Sequence, residues 1–128
     1  MAQPEGLLYS KEHEWVKIDG DVATIGITDY AQSSLGDIVY VELPRVGAEI
    51  VQFATIGVVE SVKAVSDLFT PIGGEVTEVN AGLENDPAVV NRDPFGEGWL
   101  FKVKLADAGE RANLLSPAKY EEIVTAAG

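Results

Sequence analysis

Val58-Val59-Glu60-Ser61-Val62-Lys63-Ala64-Val65-Ser66-Asp67 decides how this chain is read. A lone lysine stands between two β-type runs, with small residues beside it and acids toward either end. Glycine-led stretches bracket it. Gly47-Ala48-Glu49-Ile50-Val51 lies before it and Gly73-Gly74-Glu75-Val76-Thr77 after it. The pattern predicts a hairpin with Lys63 at the crest of a quasi-repeated β unit. A lysine so placed displays an amine for acylation. The residues therefore point to a carrier of a covalent arm rather than to an enzyme with its own active site. A plain solvated lysine at a hairpin end is the competing reading.

Outward from the lysine, alternation dominates. Glu14-Trp15-Val16-Lys17-Ile18 reads as a strand, Asp19-Gly20-Asp21 as a turn and Val22-Ala23-Thr24-Ile25-Gly26-Ile27 as its return. Thr28 and Gly36 bound a short helix as N-cap and C-cap residues. Asp37 to Leu43 is a strand that Pro44 ends. Residues 48–60 hold strand-like runs in which Gly57 marks a bulge or a close approach. Glu75 to Asn80 alternates again. Asn85-Asp86-Pro87-Ala88-Val89-Val90 predicts a capped helical turn. Gly98 to Leu105 is the last strand, with Trp15 and Trp99 both expected in strands and in the core. Asp107-Ala108-Gly109-Glu110 has capping-box spacing, and Ser116-Pro117 opens a helix with Tyr120, Ile123 and Val124 on one face. The expected fold is mainly β, with short helices including C-terminal ones, in one domain spanning 1–128.

Composition narrows the function. No cysteine is present, which removes disulfides, thiolate metal sites and a cysteine nucleophile together. The formal net charge of −12 repels nucleic acid and anionic membranes and favours partners with basic docking surfaces. No apolar run reaches the roughly 20 residues that a membrane span needs. The N-terminal Met1-Ala2-Gln3-Pro4-Glu5-Gly6 has neither the basic start of a signal peptide nor the Arg-rich character of a transit peptide. A cytoplasmic protein is expected, or a matrix protein if this is a processed mitochondrial chain. His13 is the only histidine, too little for a metal site without cysteines. No phosphate loop or dinucleotide fingerprint occurs.

The chemistry of the lysine favours modification over catalysis. An exposed lysine is protonated at neutral pH, whereas a Schiff-base lysine must be desolvated or flanked by cations. Acylation by a partner enzyme fits better, because it replaces the charge by an amide and mounts a reactive group on a tether. Met1 is the only methionine, so no Met-Lys-Met surrounds the lysine as in biotin carriers. Val62-Lys63-Ala64 looks like a lipoyl site instead.

Four stretches then carry a specific resemblance. They are His13-Glu14-Trp15; Tyr30-Ala31-Gln32 with Leu35 to Pro44; Glu60-Ser61-Val62-Lys63-Ala64; and Asn91-Arg92-Asp93-Pro94-Phe95-Gly96-Glu97-Gly98-Trp99. In this order, and over almost the whole chain, they resemble the H protein of the glycine cleavage system. Phe69 and Phe95 stand where that family commonly has tyrosine, and Gly73 where it commonly has serine. The resemblance implies two antiparallel sheets in a flattened barrel-sandwich, with lipoic acid in amide linkage on Lys63. It implies four kinds of partner: a pyridoxal-phosphate glycine decarboxylase, a tetrahydrofolate-dependent aminomethyltransferase, a dihydrolipoyl dehydrogenase, and a lipoate ligase or lipoyl transferase. The arm would take an aminomethyl group from the first, deliver it to the second and be reoxidised by the third, while the carrier catalyses none of these steps.

The resemblance also implies a surface cleft sheltering the loaded arm, with Glu12, Glu14 and Asp67 as its acids. Their carboxylates would hold the protonated amine of the adduct. Strand alternation is expected to place Glu12 and Glu14 on one side and His13 on the other. Glu60 and Gly47 would help a lipoylating enzyme recognise the hairpin, with Gly47 in a turn near the same end of the fold. Gly47 as a turn glycine needed only for its backbone angle is the plainer reading. Two other readings of the chain stay open. One is a lipoyl or biotin carrier of another complex. The other is an interaction module that has lost the modification.

Overall fold

A computed structural model describes residues 3–127. Met1 and Ala2, the start of the N-terminal stretch read above, and Gly128 lie outside the described residues. The first half follows the alternation read from the sequence. β1 (Leu8–Tyr9) pairs with β2 (Glu14–Asp19), and β2 pairs with β3 (Val22–Ile27) through a tight turn at Gly20, whose φ is +64°. Thr28 caps α1 (Asp29–Leu35), its hydroxyl accepting from Ala31 N–H, and Gly36 ends it at φ +85°.

β4 (Ile38–Glu42), β6 (Thr55–Ser61) and β7 (Val65–Phe69) form a three-stranded sheet in the order β4-β6-β7. β5 (Glu49–Ile50), β8 (Gly74–Val79) and β9 (Phe101–Leu105) complete the other, six-stranded sheet in the order β1-β2-β3-β9-β8-β5. Every pairing is antiparallel. The two sheets form the expected flattened sandwich. Ile25, Phe101, Val103 and Val76 of one sheet pack with Ile38, Val59 and Leu68 of the other. Each such side chain contributes roughly 1.5–3 kcal/mol on leaving water.

β2 breaks the simple alternation at its start, where Glu14, Trp15 and Val16 are all buried. Two cores explain this. Val16 faces the inter-sheet core, whereas Trp15 joins Tyr9 and Tyr120 in a second cluster. That cluster docks α3 (Pro117–Ala127) onto β1, with the Tyr9 and Tyr120 rings stacked 4.7 Å apart. Trp15 lies over Gly26 and donates to Pro94 O at 2.9 Å.

Three sequence expectations need correction. The helical turn expected at 85–90 begins later, as α2 (Val89–Arg92), and lacks a side-chain cap. The capped turn is instead a 3-10 helix at Ala81–Glu84, where the Asn80 side chain accepts from Gly82 N–H. Trp99 is half-buried and precedes β9 rather than lying in it. At the Asp107-Glu110 spacing, Asp107 caps a 3-10 helix, but the Glu110 carboxylate accepts from Gly73 N–H at 2.9 Å instead of reaching back. A long-range partner outcompetes the local box.

Gly57 sits at a register shift in β6, as expected, and a Cβ there would collide with the Glu42 carbonyl oxygen. That backbone cannot yield as a flexible side chain could. Gly57→Ala is expected to lower unfolding free energy by at least about 2 kcal/mol, measured by urea denaturation.

Candidate functional site

Lys63 is exposed in the three-residue link between β6 and β7, beyond the Glu60–Val65 pair. Ser61 shapes that link. Its hydroxyl oxygen accepts from Lys63 N–H at 3.3 Å and Ala64 N–H at 3.0 Å, and its own N–H donates to Ala64 O at 2.8 Å. A serine that folds the following backbone onto its hydroxyl is a local turn device. The turn is also held from outside, by Val62 N–H donating to Asp37 O at 3.0 Å. The lysine stem passes over Gly36, close enough that a Cβ there would lie 3.3 Å from Lys63 Cε. Among the described residues Lys63 enters no ion pair. Its amine is free to be acylated, and the bare glycine beneath leaves its stem unobstructed.

A cleft of about 300 Å³ opens elsewhere, lined by Ser10, Lys11, Glu12, Phe53, Phe69, Asn113 and Leu115. It lies at the far end of β7 from the lysine. Val65 to Phe69 spans about 13 Å of extended strand.

The acids expected there divide. Glu12 is exposed on the cleft lining. Glu14 is 2% exposed and lies behind the lining. It accepts from Ser10 Oγ–H at 2.5 Å and from the Phe69 backbone N–H. Burial pushes its carboxyl up to about 8, against the lowering effect of those two hydrogen bonds; Glu12 nearby raises it further. Glu14 is therefore mostly protonated at neutral pH, not a standing negative charge. Asp67 is exposed on β7 opposite Val58, outside the cleft lining. The expected alternation fails because the strand starts only at Glu14. Residues 10–13 form a turn, with His13 N–H donating to Ser10 O and His13 at φ +70°.

Gly47 is not near the lysine. β4 begins opposite Ser61 and runs away from it, and Gly47 lies beyond its far end, donating its N–H to Val76 O in the other sheet. Its φ of +91° accounts for the glycine. Glu60 is half-buried on β6, between Tyr40 and Val65.

Sequence reading missed several cleft residues. Phe53 carries no pattern that marks it, yet it has φ +68° and donates its N–H to Thr70 O at 2.6 Å. His13 and Phe53 are the only positive-φ non-glycine residues among those described; Phe53 lines this cleft and His13 follows Glu12 of its lining. Such backbone costs on the order of 1–3 kcal/mol and clusters at functional sites. Behind the cleft, Ala31 N–H, Thr28 Oγ1, Tyr120 Oη and His13 Nδ1 form a chain of hydrogen bonds. Burial lowers the His13 pKa, with Glu12 opposing, and the tautomer of the ring decides whether Nδ1 donates to or accepts from the Tyr120 hydroxyl.

Glu14 gives this site a pH signature. Its folded pKa is raised, so its stabilising contribution is complete below about pH 4.3 and is lost as pH rises through about 8. Glu14→Gln cannot ionise. Relative to the wild type it should gain on the order of 1 kcal/mol of stability per pH unit across that window. Denaturation at pH 5, 6, 7 and 8 measures this; a constant difference would contradict a buried neutral acid.

Comparison with known proteins matches the same residues. The family model described as "Glycine cleavage H-protein" covers residues 7–127. The glycine cleavage system H protein of Carboxydothermus hydrogenoformans is 53% identical over 98% of this chain and 96% of its own length. That of Rubrobacter xylanophilus is 56% identical over 91% of this chain and 90% of its own. The crystal structure of the H protein from Mycobacterium marinum superposes with a TM-score of 0.86 at 40% identity, covering 94% of this chain and 97% of that one. The chain belongs to the glycine cleavage H-protein family, which are lipoyl carriers of that system and not catalysts in their own right.

Proposed function

We propose that Lys63 is the lipoyl attachment site and that residues 1–128 act as a single carrier domain. The observation that carries this is the exposed, unpaired lysine at a tip whose backbone is fixed by Ser61 and Asp37. A lipoyl group in amide linkage there supplies a dithiolane that accepts an aminomethyl group from the pyridoxal-phosphate decarboxylase, yields it to the tetrahydrofolate-dependent aminomethyltransferase and is reoxidised by dihydrolipoyl dehydrogenase.

The chain's own residues present and shelter. Ser61 holds the loop so that Lys63 Nζ projects into water, where a lipoate ligase or lipoyl transferase can reach it. Glu60, three residues earlier on the same hairpin, offers that enzyme a carboxylate. In the cleft, Phe53, Phe69 and Leu115 exclude water, and Glu12 offers negative charge to a protonated amine. Glu14 would release its proton when a cation arrives beside it, because an opposite charge favours the ionised form. Asp67 lies along β7 between lysine and cleft, where it would meet an arm passing in either direction. The relatives named above are bacterial, which supports a cytoplasmic carrier. Among the described residues no helix is long and apolar enough to cross a membrane.

Intact mass and fragmentation of protein from its native source test the assignment, with a single lipoyl increment on Lys63 expected. Lys63→Arg should fold normally and take up no lipoate, and a lipoyl group at another residue would refute the assignment. Glu60→Ala should slow lipoylation without lowering Tm. Glu12→Ala should speed spontaneous loss of the aminomethyl group from loaded protein, read by ammonia release; an unchanged decay rate removes Glu12 from the sheltering role.

A further inference from the structure

The turn bearing Lys63 leans on a second turn, and one side chain grips that second turn. Asn91, in α2, uses its whole amide group. Nδ2 donates to Gly36 O and to Gln32 Oε1, both at 2.9 Å, and Oδ1 accepts from Ile38 N–H at 2.8 Å. Gly36-Asp37-Ile38 is thereby held on both sides of Asp37. The Asp37 carbonyl then accepts Val62 N–H, while the Lys63 and Ala64 N–H groups both turn inward to Ser61. Gly36 also lies beneath the lysine stem. No hydrogen bond joins Asn91 to Lys63 among the described residues.

We infer that Asn91 is a positioning residue for acylation of Lys63, fixing through Gly36-Asp37-Ile38 the turn conformation that a lipoylating enzyme binds. The inference rests on Lys63 being the lipoylated residue. An exposed loop has little packing to restrain it, so each lost tether lowers the fraction of molecules with the turn aligned. An enzyme that accepts only the aligned form sees its affinity for the carrier reduced by that fraction. Once bound, the amine is unchanged. Asn91 thus acts on KM for the carrier and not on kcat.

Asn91→Asp keeps the shape and the acceptor for Ile38 N–H but replaces the donors with a carboxylate oxygen. Lipoylation by a lipoate ligase, with lipoate and ATP saturating and the intact carrier varied, should show KM raised about tenfold and kcat within about twofold of the wild type. By NMR, the Val62 N–H should exchange faster while amides in the centre of β6 keep their protection. Gln32→Ala, which removes only one of the three bonds, should behave as the wild type. Asn91→Ser drops the amide without adding a charge and serves where the carboxylate prevents folding. A folded Asn91 variant with unchanged KM overturns the inference, whatever its Tm. So does a raised KM with Val62 exchange unaltered. Failure of the wild type to accept lipoate on Lys63 would instead refute the carrier assignment itself.

Discussion

A side chain in water has nothing to pack against, so the place of Lys63 is inherited from the backbone on either side of it. That backbone leaves the sheet for three residues and gains its order from hydrogen bonds. Ser61 supplies the internal ones and Asp37 the external one. The anchoring begins deeper. β4 and β6 come close where Gly57 meets Glu42, and past a register shift between Ile38 and Tyr40, Ile38 stands opposite Ser61, which brings Asp37 beside Val62. A mobile arm needs a fixed root, and here the root is fixed without burying the amine.

The cleft end of the molecule obeys the opposite rule. The cleft is largely apolar, and its acids are graded by depth. Glu12 is exposed to water; Glu14 lies behind the wall, where burial pushes its carboxyl up to about 8. Phe53, at positive φ, lines the space, and His13, also at positive φ, follows Glu12 of the lining. Their cost is offset by the packing of Trp15, Tyr9 and Tyr120 on one side and by the Phe53 N–H to Thr70 O bond on the other. The exposed lysine and the cleft thus lie at opposite ends of β7.

Much of the fold could be read from the chain because its strands obey one periodicity and its turns use residues with one conformational purpose. Gly57, Gly36 and Thr28 each sit where their chemistry predicted. The readings that failed share a cause: long-range partners override local pattern. Glu110 abandons its own helix for Gly73, and Trp15 defies alternation because a second core lies on the far side of β2. The lysine was legible because its flanks are unusual. The cleft was not, because Phe53, Asn113 and Leu115 meet only through tertiary folding and none carries a local signal. Gly47 misled for the same reason. Its distance in sequence gave no hint that the chain carries it away from the lysine.

The C-terminal helix has a bearing on how the carrier would fail. Asn113 and Leu115 form a wall of the cleft, Leu115 exchanges backbone hydrogen bonds with Tyr9, and Tyr120 supports His13 from behind. None of these residues belongs to the lysine hairpin. A protease that clipped the chain before Leu115 would remove part of the cleft without cutting the Lys63 turn. Under the proposed function such a fragment would keep Lys63 yet lose part of the cleft that shelters its cargo from water.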